Sequence, residues 1–390
     1  MTATSRIDLR GLGFTVSLVA AMAAATSLPP TLGLLGTELI AQFEITRGQL
    51  GLIIGMSMLV GGLSSPVVGV FTDWLGGQRA LALVFAISGV SYLALSAAPA
   101  YWFLLVAAFI GGIANGLTNP ATNKLIATDV APGRRGIVTG IKQSGVQVGA
   151  TLLGLLVPLG VIAWGWRPTV STVGLVWLAF LGIIWKVTSP ADANHRPSRV
   201  GRTSAFGQVW QVSVYGLTLG MVAAVIILLP LLTEEALGFS RVTAGRVTAL
   251  AAVTAIAGRL AWARRAERLH AYPGTLRLIA WLAVAALAII AGSFTFNWLI
   301  WLGAVVIGLS AGSWNSVGML ATIVTAGPSR AGAATGWVQL GFLAGAGLSA
   351  PLYGWLIDIT GSYQPVLAVA GAAAVVGSIV IGRGFEVVRP

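Results

Sequence analysis

The chain has 390 residues, of which 56% are hydrophobic and 9% charged, with a formal net charge of +12, no cysteine and two histidines. Soluble domains carry about 25% charged residues, and too few are present here to cover a water-soluble fold of this size, so lipid has to act as the outer solvent. The absence of cysteine excludes disulfides, thiol chemistry and Cys-based metal sites, and with no nucleophile–base pair or metal cluster in view neither an enzyme nor a cofactor is expected.

In chain order, apolar stretches punctuated by charges, Pro and Gly predict helical spans at 11–40, 49–71, 80–98, 102–128, 136–162 and 168–185, then 207–232, 243–262, 277–294, 299–325, 333–356 and 364–383. Runs such as Leu81 to Ala98 are long and continuously apolar, which fits helices and not the alternating strands of a barrel. Arg6 and Arg10 before the first run imitate a signal peptide; cleavage would leave an odd number of spans, so the segment is expected to stay. In span one, Pro29-Pro30 removes backbone donors and predicts a break. Residues 186–206 form the one long polar interval, read as a linker between a first bundle (1–185) and a second (207–390).

The basic residues lie in short clusters between apolar runs, as in cytoplasmic loops, so the positive charge implies no nucleic-acid partner. Placing the N-terminus inside puts sixteen Lys and Arg residues on the cytoplasmic side, among them Arg79, Arg134, Arg135, Lys186, Arg264 and Arg265, against about four outside, Arg47, Arg167, Arg241 and Arg246. Both termini are therefore expected in the cytoplasm.

Residues Gly112, Gly116, Asn119, Pro132, Arg134, Gly136, Thr139, Gly140, Gln143, Gly145 and Gly149 recur 196 positions later, from Gly308 and Gly312 through Asn315, Pro328, Arg330 and Gln339 to Gly345. Chance glycine matches would not align Asn, Gln, Pro and Arg as well. Each unit holds six spans, so two parallel halves related by an axis along the membrane normal are expected, an architecture of secondary transporters.

Polar residues inside the spans mark candidate sites, because amides and charges in hydrocarbon are costly unless they meet partners or water. Asn115 and Asn119 on span four and Asn315 on span ten fall near mid-membrane, either facing a substrate or bonding helices together. Span five carries Lys142-Gln143-Ser144, with Gln143 mirrored by Gln339 and Lys142 by Val338. No carboxylate lies at the depth of Lys142, so either a substrate anion is its partner or its stem snorkels to the interface. Trp314 beside Asn315, and Tyr215 on span seven, are further candidate contacts; Arg259 on span eight is a second possible cation. Glycine pairs four apart, Gly136/Gly140, Gly145/Gly149, Gly332/Gly336 and Gly341/Gly345, predict close helix seams that slide.

The stretch Gly69-Val-Phe-Thr-Asp73-Trp-Leu-Gly76-Gly77-Gln78-Arg79 resembles the cytoplasmic signature of the major facilitator superfamily, G-x-x-x-D-R-x-G-R-R, with Trp74 for its first basic residue and Gly77-Gln78 for the last two. With the six-plus-six repeat, the resemblance covers essentially the whole chain. It implies an all-α membrane fold of twelve helices in two pseudo-symmetric six-helix bundles. Spans one, four, seven and ten would line a cavity, spans two, five, eight and eleven would form the seam, and the rest the scaffold. Asp73, Gly69, Arg79 and Pro30 would then serve conformational change, Asp73 as a latch that breaks when the halves rock.

The stretch Gly-Ile-Lys142-Gln-Ser-Gly looks like the corresponding span of facilitator families for monocarboxylates and related small anions. The resulting expectation is a monomeric secondary transporter, moving a small organic anion inward across a bacterial inner membrane by rocker-switch alternation, with the lipid bilayer as its other partner. A co-transported proton is left open, since no mid-membrane acid supplies a carrier. The alternatives are multidrug or metabolite efflux by proton antiport, against which span five lacks the Gly-Pro pair of that signature (Gly154 runs on to Val157-Pro158), and, more remotely, a non-transporting receptor.

Overall fold

The computed structural model describes residues 9–131, 134–187, 205–326 and 331–383. They form fifteen helices and no strand. The first half of the chain contributes α1 (Leu9–Thr26), α2 (Leu28–Leu34), α3 (Gly36–Phe43), α4 (Arg47–Leu75), α5 (Gly77–Ala97), α6 (Tyr101–Asp129), α7 (Arg135–Trp164) and α8 (Trp166–Val187). The second contributes α9 (Ala205–Glu235), α10 (Arg241–Leu269), α11 (Tyr272–Gly292), α12 (Leu299–Leu309), α13 (Asn315–Ala326), α14 (Ala331–Thr360) and α15 (Gln364–Gly382). Most of the expected linker, 188–204, lies outside the described residues, as do His195 and the loop cations Arg6, Arg196, Arg199, Arg202, Arg330 and Arg389.

Ten helices are long and apolar enough to cross a membrane, and the bent pair α1–α2 supplies an eleventh span. The short apolar α12 and α13 occupy the stretch expected as span ten, so twelve spans result when these two count as one broken span. Helix starts follow local chemistry. Thr46 caps α4 by accepting from the Gln49 amide while the Gln49 side chain returns to the Thr46 N–H, and Ser240 caps α10 by accepting from the Thr243 amide. Gly76 (φ 85°) and Gly165 (φ 81°) make the tight turns after α4 and α7, conformations that glycine adopts without strain.

The break expected at Pro29-Pro30 is present, just ahead of the prolines themselves. The chain bends by 52° at Ser27, with both prolines in the first turn of α2, where a missing N–H is tolerated. The freed polar groups are gathered by Tyr92 of α5, whose buried hydroxyl lies 2.8 Å from both Ser27 Oγ and Thr31 Oγ1. Ser27 and Thr31 in turn donate to Ala24 O and Ser27 O. Replacing Tyr92 by Phe leaves this cluster short of a donor, and should lower stability by about 1–3 kcal/mol in an unfolding titration in detergent.

A second break was not anticipated: span ten is unwound from Ser310 to Trp314. The carbonyls around it are held from other helices. Trp262 Nε1 donates to Leu309 O (2.6 Å), Arg259 Nε to Gly312 O (3.4 Å), and Gln147 Nε2 to Gly312 O (3.2 Å).

The two halves of the chain meet along α4–α14 and α7–α10. At these crossings backbone lies directly on backbone, and a Cβ added at Gly51, Gly55, Gly245 or Gly354 would collide with the main-chain oxygens of Ala350, Gly347, Gly154 and Arg47. The glycine pairs singled out from the sequence sit elsewhere. Gly145 and Gly149 receive Val19 and Ala23 of α1, and Gly341 and Gly345 receive Ser213 and Leu217 of α9. Those stripes fasten helices within each half, Gly140 and Gly336 face no neighbour within 4 Å, and the seam between halves uses different glycines.

The halves also meet through charged side chains at the helix ends around Arg47. There Arg47 pairs with Glu235 (2.8 Å) and Asp358 (3.6 Å), and Arg241 pairs with Glu38 and Glu234. The Asp358 carboxylate also accepts from the Arg47 and Gly48 amides, at 3.0 and 2.8 Å. Tyr363 donates to Glu235 (2.6 Å), and burial beside that carboxylate holds its hydroxyl pKa above the ordinary range. Toward the opposite end, Leu63, Val67, Val70 and Trp74 of α4 are exposed. The molecule is closed at the Arg47 end.

Candidate functional site

In its last three turns, α6 (Tyr101–Asp129) places Asn119, Thr122 and Asn123 on one face by their i, i+3, i+4 spacing. Opposite them on α7 is Lys142, fully buried. Its ammonium donates to Asn123 Oδ1 (2.5 Å) and Thr122 Oγ1 (2.7 Å), with Asn119 Oδ1 at 3.5 Å. The Thr122 hydroxyl gives its own hydrogen to Thr118 O (2.6 Å), so its oxygen has to accept from the lysine. Three acceptors around one nitrogen match the three donors of an ammonium. No carboxylate lies within ion-pair distance of Lys142 among the described residues.

Gln143 extends the cluster, donating through Nε2 to Asn119 Oδ1 (3.2 Å). Its backbone oxygen accepts from Arg259 Nη1 (3.1 Å), a contact that crosses from α7 to α10 and so from one half to the other. Arg259 also holds Gly312 O, as described, and like Lys142 has no carboxylate partner among the described residues. Gln147, one turn along α7, reaches the same oxygen, and its buried Oε1 has no partner. The polar layer therefore runs Lys142–Asn119–Gln143–Arg259–Gly312, with a cation on each side of the division between halves.

Because Asn123 accepts through Oδ1, its NH₂ group is the end left to face outward, and the residue is exposed. The same holds for Asn119, half-buried and accepting twice. Amides polarised by a cation behind them are good anion donors.

The other residues singled out from the sequence are scattered. Asn115 is half-buried against Gly61 of α4, and its side chain forms no hydrogen bond among the described residues. Asn315, first residue of α13, and Gln339 on α14 are half-buried and their side chains are also unbonded. Trp314 is fully buried, its ring 5.7 Å from Tyr215 and 5.5 Å from Phe342, and the Tyr215 hydroxyl is bonded to Leu276 O (2.7 Å). These two aromatics form packing behind the unwound segment. Gly69 does not admit a close helix: a Cβ there would meet only Pro120, at 4.0 Å. Asp73 falls in the last turn of α4 with its side chain outside the described residues, and Arg79 is exposed in the first turn of α5. Lys124 donates to Thr72 O (3.4 Å) at the end of α4. Sequence reading missed Thr122 and Asn123; their spacing from Asn119 along one helical face was the available signal.

A sequence model described as the Major Facilitator Superfamily matches residues 12–340. Among curated proteins, the chain is 24% identical to the probable sulfoacetate transporter SauU of Cupriavidus necator, over 87% of this chain and 85% of that one. It is 28% identical to the probable nitrate/nitrite transporter NarK2 of Mycobacterium tuberculosis over 58% of this chain and 60% of the other. The gallate transporter of Pseudomonas putida matches at 28% over 40% of this chain and 34% of its own length. Among solved structures, a bacterial homologue of the human lysosomal transporter Spinster, inward-facing and occupied, superposes with a TM-score of 0.73 at 17% identity, covering 95% of both chains. A mutant of the nucleoside transporter NupG superposes with a TM-score of 0.76 at 12% identity, over 96% of this chain and 100% of that one.

Proposed function

The chain belongs to the major facilitator superfamily, and from that premise we propose that it carries a small organic anion across a bacterial inner membrane by alternating access. One observation carries the reading. Lys142 and Arg259 lie in the polar layer on either side of the division between halves, and neither has a carboxylate partner among the described residues. Unpaired cations inside a bilayer are costly, and an anionic ligand lowers that cost. The relatives named above, probable or established carriers of sulfoacetate, nitrate or nitrite, and gallate by their names, are consistent with an anionic cargo.

In this reading the substrate meets the outward NH₂ groups of Asn119 and Asn123, with Lys142 behind them, and the free N–H groups of Arg259 across the division. Asn315 and Gln339, unbonded and half-buried, are the second-half amides available to close on it. With the N-terminus in the cytoplasm, the Arg47 end faces outward and the conformation is inward-open. Transport then requires the Arg47 and Arg241 pairs to break while the opposite ends come together, as in a rocker switch. Inward movement is the direction we favour.

The test is uptake into proteoliposomes of purified protein with a panel of labelled carboxylates and sulfonates, alongside a lipophilic cation. Saturable uptake of an anion, competed by other anions and not by the cation, is expected. Transport of the cation with indifference to anions would establish efflux chemistry instead.

A further inference from the structure

The polar layer holds two cations, and each has a different setting. Three neutral oxygens surround the Lys142 ammonium, and its charge is passed on through the amides of Asn119 and Asn123. Arg259 bonds only to the carbonyl oxygens of Gln143 and Gly312, and its remaining N–H groups have no protein partner among the described residues. Other arginines are tied away from the layer: Arg135 to Ala127 O and Val130 O, Arg167 to Ser96 O and Ala98 O, Arg47 and Arg241 to acids at the closed end. A monoanion bound in this layer would neutralise one cation and leave the other unpaired in a low-dielectric interior.

We infer that the cargo is a short dianion with its two charges on separate groups, one held by the Lys142-backed amides of α6 and the other by Arg259 of α10. The inference rests on the anion reading above and narrows it to a charge state. The layer sets the ligand's size as well. Gln143 is bonded on one side to Asn119 and on the other to Arg259, so the two anion-binding ends are separated by a single side chain and its backbone. A short carbon chain between charged ends is the length such a gap admits. Gln147 donates through Nε2 to Gly312 O, and its buried Oε1 has no donor among the described residues. Its amide cannot be flipped without setting oxygen against oxygen, so an acceptor is fixed at this end of the layer. Charge neutrality also has a mechanical consequence. A carrier whose loaded site sums to zero reorients without dragging an unpaired charge through the membrane interior.

The experiment is binding to the purified full-length protein, read by intrinsic tryptophan fluorescence and by thermal stabilisation, with malonate and succinate against propionate and butyrate at neutral pH. The dianions are expected to bind roughly tenfold to a hundredfold more tightly than the monoanions of equal carbon number, the worth of an added charge-assisted contact. Arg259→Gln should collapse that ratio to near one while propionate still binds, and Arg259→Lys, which keeps the charge, should retain most of it. Equal affinity for monoanions and dianions in the wild-type protein, which needs no variant to fold, overturns the inference and leaves the anion reading standing. An unchanged ratio in Arg259→Gln overturns it as well. Binding of none of the four overturns the anion reading and this inference together.

Discussion

Replacing Lys142 by methionine is expected to lower anion uptake by roughly thirtyfold or more while the protein remains folded. Removing one member of a desolvated charge pair costs about 2–5 kcal/mol of binding, and each 1.4 kcal/mol is about a factor of ten. Methionine keeps much of the length and the apolar stem, so the buried volume between α6 and α7 stays filled. Asn119, Thr122 and Asn123 lose a donor, but Thr122 still bonds Thr118 O and Asn119 still accepts from Gln143. Uptake in proteoliposomes, with size-exclusion profiles and unfolding temperatures for both proteins, makes the comparison. Wild-type uptake by Lys142→Met would remove the lysine from the mechanism and reduce it to a buried strut between two helices. Lys142→Arg is not a conservative control, because a planar guanidinium does not fit a site built around a compact ammonium with three acceptors.

The second large effect is conformational. Gly354→Leu should drive the Arg47 end apart, because the new Cβ would lie on the backbone of Arg47 and Gly48, which has no rotamer with which to give way. Overpacking of this kind costs about 1–3 kcal/mol, enough to shift a two-state balance by roughly tenfold to a hundredfold. The chain has no cysteine, so Ala41→Cys and Thr360→Cys can carry the only two spin labels, both on exposed residues at the closed end. The distance distribution between them is expected to move to longer values in Gly354→Leu, with transport lost. A distribution identical to that of the parent would mean that backbone contact at this crossing does not hold the end shut.

The twelve-span architecture was legible because the membrane leaves few solutions, and continuous apolar runs separated by charges admit one of them. The bend in span one was legible for a local reason, since Pro29 and Pro30 remove donors wherever they stand. The unwinding at Ser310–Trp314 has no such local cause. Its carbonyls are held by Gln147, Arg259 and Trp262, residues 47 or more positions away in the chain, and nothing in Gly-Leu-Ser-Ala-Gly-Ser-Trp-Asn announces them. Of the glycine pairs expected at close approaches, Gly145/Gly149 and Gly341/Gly345 do receive another helix, each from within its own half, whereas Gly140 and Gly336 have nothing within 4 Å. A glycine permits another backbone to come near, and only tertiary packing says whether one does and whose. For the site, depth and the absence of nearby acids drew attention to Lys142, but not that its ammonium turns toward α6 and away from open space. Trp314 attracted notice by standing mid-span, and packing against Tyr215 and Phe342 accounts for it.

The ion pairs that hold the Arg47 end together lie near the membrane surface with side chains between 12% and 35% exposed. Dissolved ions in the compartment bathing that end reach them. Between about 0.01 M and 1 M salt the screening length shrinks from ~30 Å to ~3 Å. Electrolyte on one side of the bilayer alone therefore loosens one end of the molecule without touching the other. In the alternating-access reading proposed above, the resting balance is expected to be set partly by the salinity of a single compartment, and turnover to depend on which side of the membrane is salted.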